Sequence, residues 1–220
     1  MSRAESGLVC GVCWSRIAAL PRLICERCGH PRSGVSCRWC ELLPAFVRSV
    51  RSVCWVPGEP AGEIVHALKY GGWHSVADEM ALRMSRLSFP ADVAAERAAL
   101  VPVPLSRSRL KERGYNQSAL LAEAISRAWR IPVWDDCLER TRSTGTQTEL
   151  SPEERRANVA GSVRFHTRRA EVDGAHLVVV DDVVTTAATL NECARALYDA
   201  GARIISYVTF GRARSAGDRI

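Results

Sequence analysis

Residues 177–189, LVVVDDVVTTAAT, constrain this chain more than any other stretch. Leu177 to Val180 form an unbroken apolar, largely β-branched run, the pattern of a strand buried on both faces. Such a strand belongs in a sheet that helices cover on both sides. Asp181 and Asp182 follow where a strand of that kind is expected to end. Thr185, Thr186 and Thr189 come next, interleaved with the small residues Ala187 and Ala188. Leu190, Cys193, Ala194 and Leu197 then recur at helical spacing. Strand, acidic pair, hydroxyl-rich turn and helix start describe a sugar-phosphate cradle. Amides at a helix N-terminus and threonine hydroxyls suit a phosphate, while two carboxylates suit a ribose diol or a hydrated Mg²⁺. An acid that merely caps the next helix is the plainer reading. Capping, however, needs one acid and no row of hydroxyls.

The remaining chain alternates strand and helix patterns. Strands are expected at Val50–Val56, Ala98–Val103, Val133–Leu138 and Ile204–Phe210. Helices are expected at Glu63–Tyr70, Val76–Leu87 and Gln117–Arg130, the last capped by Asn116. A further helix starts at Ser151-Pro152-Glu153-Glu154, with a capping serine, proline at the first position and acids in the first turn. This order predicts an α/β fold, a mostly parallel sheet with helices on both faces. Ligands of such sheets sit beyond the strand C-termini. Residues 106–117, SRSRLKERGYNQ, read as a basic loop, and 139–150 as a mobile loop. Gly211–Ile220 reads as a charged tail, with 213–220 disordered.

At 220 residues, 47% hydrophobic and 25% charged, the chain fits one medium globular domain plus a small one. No uncharged apolar run approaches the roughly 18 residues of a membrane span. The segment MSRAESGLVC lacks the apolar core of a secretory signal, so a cytoplasmic location is expected. The net charge of +6 rests almost wholly on arginine, since lysine occurs only at Lys69 and Lys111. Arginine suits phosphate recognition, which keeps nucleic acid among the conceivable partners.

Six of the nine cysteines form three Cys-x-x-Cys pairs: Cys10/Cys13, Cys25/Cys28 and Cys37/Cys40. Each pair can act as a knuckle donating two thiolates, and two knuckles complete the tetrahedral sulfur site that Zn²⁺ prefers. Cys25/Cys28 with Cys37/Cys40 is the closest pairing, and Cys10/Cys13 with either of the others is also open. Redox-active thiols are the competing use of these pairs. Gly29 eases the turn after Cys28. A structural zinc in a cysteine-rich module over residues 1–45 is therefore expected, with the main domain over 46–212. Cys54, Cys137 and Cys193 read as small core residues.

Further segments give the chain a family likeness. They are Lys69-Tyr70, Val101-Pro102-Val103-Pro104-Leu105, Arg113-Gly114-Tyr115-Asn116-Gln117, and Gln147-Thr148 with Leu150, Arg155, Arg156, Asn158 and Val159. With the knuckles and VVVDDVVTT, they resemble the ComF family, phosphoribosyltransferase-like proteins first associated with competence for DNA uptake. Residues 177–189 resemble the phosphoribosyl-pyrophosphate signature of type I phosphoribosyltransferases, except that Ala187 stands where glycine is usual. The resemblance implies that domain's fold over 46–212 and glycosyltransferase-class chemistry. It implies that Asp181 and Asp182 contact the ribose hydroxyls as the catalytic pair. Thr185, Thr186, Ala187, Ala188 and Thr189 surround the 5′-phosphate. Lys69 belongs to the substrate site, and Val103, Arg107 and Arg113 lie near a pyrophosphate bridged by Mg²⁺. Two partner classes follow: phosphoribosyl pyrophosphate, and single-stranded DNA with proteins of the uptake machinery. The competing function is a single-stranded DNA-handling factor for transformation without transferase activity, using Trp14 and Trp39 as stacking surfaces. The acceptor of the phosphoribosyl group is not legible.

Overall fold

The computed structural model describes residues 9–31, 37, 39–141, 161–167 and 169–214. Its centre is the strand β5 (His176–Val184), flanked by β6 (Ile204–Ala213) and β2 (Arg97–Pro102), with β1 (Val47–Val56) beyond β6. All neighbours in this four-stranded sheet, ordered β1-β6-β5-β2, run parallel. The alternation within the apolar run explains the layering. Leu177 and Val179 join Leu190, Cys193 and Leu197 of α7 (Ala188–Asp199) in one core. Val178 and Val180 point the other way, into a core with Leu68 of α2 (Ala61–Tyr70), Met80 of α3 (Val76–Ser85) and Leu121 of α6 (Gln117–Trp129). The expected parallel sheet covered on both faces is thus present. Cys54, Cys137 and Cys193 are buried, as small core residues should be.

Several boundaries depart from the sequence reading. β5 does not end at Val180 but continues through both aspartates to Val184. Its partner β6 continues alongside, pairing Asp181 with Thr209 and Val184 with Arg212. For the same reason Gly211–Ala213 belong to β6 and not to a tail. The segment expected as one strand over 133–138 is split. Val133 makes a single parallel bridge to Leu100, Asp135 and Asp136 turn the chain, and β3 (Leu138–Arg140) starts only at Leu138. β3 pairs antiparallel with β4 (Val163–Phe165), so residues 139–140 are strand and not loop. The helix expected from Ser151 and the motif over 147–159 lie outside the described residues.

Upstream of β1, the chain lays residues 18–20 antiparallel along the outer edge of that strand. Leu20 N–H donates to Val53 O (3.2 Å) and Trp55 N–H to Ala18 O (2.9 Å). This pairing blunts an edge that would otherwise invite association. Trp14, from the short helix α1 (Gly11–Ser15), packs edge-on against Phe210, and Arg83 lies over its ring. Among the described residues, no helix is long and apolar enough to cross a membrane.

Candidate functional site

Two sites emerge, one made of sulfur and one of carboxylates, hydroxyls and guanidinium groups. The thiols of Cys25, Cys28, Cys37 and Cys40 lie within 4.8 Å of one another. Cys25 Sγ stands 3.5 Å from Cys40 Sγ, and Cys28 Sγ 3.3 Å from Cys37 Sγ. Four sulfurs about 2.3 Å from a central zinc would be about 3.8 Å apart, so the donor set fits a tetrahedral Zn²⁺. Burial raises the Cys25 thiol, but the N–H groups of Cys28 and Arg27, together with hydrogen bonds from the Cys40 and Cys28 thiols, outweigh it and bring the thiol down to about 7. Those N–H···S contacts are what a knuckle provides to a thiolate ligand. Cys10 and Cys13 are not part of this group; they are free thiols that hydrogen-bond to one another. The closest pairing in sequence is therefore the one the fold assembles.

This cluster is built into the sheet. The Arg27 guanidinium donates to the carbonyls of Val47, Cys40, Leu43 and Pro44, and Arg212 donates to Cys28 O at 2.6 Å. Gly29 has φ +68°, and a Cβ there would stand 2.1 Å from Val50 O. Only glycine allows the knuckle to sit this close to β1. Trp39 stacks on His30 with centroids 4.6 Å apart.

The second site lies beyond the C-terminal ends of β2 and β5. The chain leaving β2 forms α6 on one face of the sheet, and the chain leaving β5 forms α7 on the other. Neighbouring strands whose connections part to opposite faces leave a crevice between them. A cavity of about 380 Å³ fills it, lined by Lys69, Val103, Ser106, Arg109, Arg113, Gln117, Arg140 and all of Asp181–Leu190. The fold therefore gathers Lys69, Val103, Arg113, Asp181, Asp182, Thr185, Thr186, Ala187, Ala188 and Thr189 around one cavity.

Both carboxylates reach the cavity already engaged. Asp182 is 3% exposed, and its Oδ2 lies 2.5 Å from Lys69 Nζ. Asp181 Oδ1 accepts from Ser118 Oγ and from the Asp182 N–H, both at 2.9 Å. Burial and the adjacent Asp182 charge push the Asp181 carboxyl up to about 7. Burial also acts against Asp182, but the Lys69 ammonium overrides it and holds this carboxyl below the usual range. One buried acid is thus ionised and paired, while its neighbour sits near neutrality. A diol or a metal ion at Asp182 shares that carboxylate with Lys69.

The turn after β5 has the form of a phosphate loop. Thr186 Oγ1 is buried without a hydrogen-bond partner, and the open amides of α7 begin at Ala188. A buried hydroxyl left unsatisfied is unusual, and an oxyanion in the cavity would satisfy it. Ala187 adopts φ +60° and ψ +9°, the left-handed conformation. The methyl group therefore carries a real cost where glycine would carry none. Replacing Ala187 by glycine relieves about 1–2 kcal/mol of strain and adds about 0.5–1 kcal/mol of chain entropy to the unfolded state. Ala187→Gly is expected to raise unfolding free energy by roughly 0.5–1 kcal/mol, the difference of those terms, in a urea titration. A loss of stability would mean that the alanine side chain packs favourably.

The RGYNQ segment acts as a clasp. Tyr115 donates its hydroxyl to Leu68 O, and Asn116 Nδ2 donates to Val103 O at 3.0 Å while its Oδ1 caps α6 at the Ser118 N–H. Gln117 Oε1 and Tyr70 Oη accept from Arg113 at 2.9 and 3.2 Å, which aims the guanidinium across the cavity mouth. The preceding residues form a helix, α5 (Arg107–Arg113), and not the expected loop. That corrects the assignment of Arg107. Its side chain is 91% exposed and bonds to Glu139, outside the cavity. On a helix, Ser106, Arg109 and Arg113 share a face at i, i+3 and i+7, while Arg107 is turned away. Arg109 takes its place in the lining. Arg140 and Ser118 were also missed, since each arrives from an element remote in sequence.

The phosphoribosyl transferase domain family model matches residues 116–219. The chain is 36% identical over 208 residues to DNA utilization protein YhgH of Escherichia coli O157:H7, covering 90% of this chain and 87% of that protein. It is 30% identical over 200 residues to competence protein ComFC of Bacillus subtilis (strain 168), covering 88% and 79%. A solved hypoxanthine phosphoribosyl transferase of Trypanosoma cruzi aligns over 72% of this chain and 69% of its own, with 21% identity and a TM-score of 0.33.

Proposed function

This chain belongs to the ComF family, with its type I phosphoribosyltransferase domain, and from that membership we propose that it binds phosphoribosyl pyrophosphate with Mg²⁺ in the crevice beyond β2 and β5. The carrying observation is one cavity that joins the Asp181–Asp182 pair to the unsatisfied hydroxyl of Thr186, with three arginines opposite. Phosphoribosyl pyrophosphate presents a diol, a 5′-phosphate and a diphosphate, one for each of these three sets of groups. Asp181 and Asp182 hold the diol. Thr186, Thr189 and the first amides of α7 hold the 5′-phosphate. Arg109, Arg113 and Arg140 face the diphosphate, with Val103 at the turn beneath it. When bound, Mg²⁺ supplies charge neutralisation on the diphosphate.

In the transferase reading, a nucleophile forms a bond to the anomeric carbon as the bond to the diphosphate oxygen breaks, and the electron pair leaves with the diphosphate. The chain's contribution is positioning of the sugar and stabilisation of the leaving charge. The relatives' names place them in competence and DNA utilisation, and the same setting is the one we propose for this protein, in the cytoplasm. The cysteine cluster is proposed as a structural zinc site within residues 1–45.

Calorimetric titration with Mg²⁺ and phosphoribosyl pyrophosphate tests the reading. Asp181→Asn is expected to weaken binding by about tenfold or more, the worth of a hydrogen bond to a charged group. It should also stabilise the fold. A carboxyl raised to about 7 from an ordinary 3.8 contributes stability below pH 4 that is lost as pH rises through 7. The gain from Asp181→Asn is then on the order of 1–3 kcal/mol at pH 8, about a third of that at pH 5, and small only below pH 4. Absence of binding by the wild type, together with salt-dependent single-stranded DNA binding that ignores Asp181→Asn and Asp182→Asn, would support the DNA-handling function instead.

A further inference from the structure

A second groove of about 470 Å³ opens beside the crevice, beneath the β3–β4 pair. The two cavities share Ser106 and Arg140 in their linings. The groove adds Arg107, Ser108, Glu139, Thr141 and Arg164. Glu139 ties its arginines together. Its Oε2 accepts from Arg164 Nε at 3.1 Å and Nη2 at 2.7 Å, and its Oε1 accepts from Arg107 Nη2 at 3.1 Å. Two guanidinium groups from separate elements, α5 and β4, are thereby held within the span of one carboxylate. With Arg140, the lining carries three positive charges against one negative. Among the described residues, that lining has no aromatic and no aliphatic side chain.

That chemistry selects against an uncharged nucleobase, which needs a stacking face to offset its desolvation. It fits an oxyanion of charge near −2, which guanidinium forks grip in paired hydrogen bonds. We propose that this groove seats the terminal phosphate of a second substrate, a phosphomonoester, beside the phosphoribosyl site. The inference rests on the reading of the neighbouring crevice given above. A phosphomonoester is close to doubly charged at neutral pH, whereas an internal backbone phosphate carries one charge. The two sources of such a group are a free nucleotide and the 5′ end of a nucleic acid.

Binding at near-physiological salt distinguishes these sources. The probes are adenosine 5′-monophosphate against adenosine, and a short oligonucleotide with a 5′-phosphate against the same strand with a 5′-hydroxyl. In at least one pair, the phosphorylated probe is expected to bind about tenfold more tightly or better, as a charge-assisted contact implies. The pair that shows the preference names the source. Arg107→Ala with Arg164→Ala should erase the preference and leave the Mg²⁺–phosphoribosyl pyrophosphate titration unchanged, because neither residue lines the crevice. Arg16→Ala with Arg22→Ala removes equal charge from exposed positions elsewhere and should preserve it. Equal binding within both pairs, a preference that survives Arg107→Ala/Arg164→Ala, or an equal loss in the Arg16/Arg22 control overturns the proposal. Failure of the wild type to bind phosphoribosyl pyrophosphate would count against the crevice reading, whatever the probes do.

Discussion

Lys69→Met is expected to cost about 3–5 kcal/mol of folding stability near pH 7.5, because it strands a buried ionised carboxylate without its partner. For a chain of this length that corresponds to a fall of roughly 10 °C in Tm. The Asp182 carboxyl is held low and the Lys69 ammonium is raised, in both cases against the burial that disfavours charge. Their pairing therefore stabilises above the ordinary carboxyl range and is lost as pH falls through the depressed Asp182 value. In the variant the acidic pair loses its bonded counter-charge, so protonation relieves the repulsion between Asp181 and Asp182. The deficit should shrink between pH 8 and pH 5, as measured by urea denaturation at both. Mg²⁺ should stabilise Lys69→Met more than the wild type, since the cation no longer competes with an ammonium group for the acidic pair. A deficit below about 1 kcal/mol, or one that is the same at both pH values, would remove the ion pair from its central place in the site.

Cys28→Ser is expected to abolish binding of one zinc ion per chain and to destabilise the whole domain. Structural zinc contributes about 10–16 kcal/mol in isolated knuckle peptides, so even a partial share exceeds most single-residue effects. A detachable module would keep that loss to itself. Here Cys28 is buried in the same core as Val50, Ile205 and Tyr207, and its carbonyl is bonded to Arg212 of β6. Loss of the metal should therefore accelerate amide exchange in β1 and β6 and lower Tm by at least about 10 °C. Cys10→Ser with Cys13→Ser should leave zinc content and Tm unchanged. Metal analysis and calorimetry decide it: a Cys28→Ser protein that retains its zinc, or melts like the wild type, refutes the assignment.

Much of this site was legible before any coordinates. The run Leu177–Val180 required burial on both faces, because consecutive side chains of a strand point opposite ways and all four are apolar. The acidic pair, the hydroxyl-rich turn and the helix phase after it are local patterns, and their places in the cavity followed. Ala187 was legible as a departure from the expected glycine, and its left-handed backbone shows why glycine is favoured there. Arg107 failed because seven residues dense in charge were taken as a loop. Once they form a helix, a 100° step per residue separates Arg107 from Arg109, and only Arg109 lines the cavity.

What the amino-acid order determined alone was of short range: the periods of the main strands and helices, the cap at Asn116, the knuckle spacing, and the chemistry available at 181–189. What only the tertiary structure decided was which distant groups meet. Lys69 on Asp182, Ser118 on Asp181, Arg140 between two cavities, and Arg212 on the Cys28 carbonyl join residues far apart in the chain. Local sequence carries no record of such meetings, because they are set by sheet order and by which face each connection takes. The strand itself extends past the aspartates for the same reason: its neighbour continues, and backbone hydrogen bonds follow the neighbour and not the polarity of the side chains.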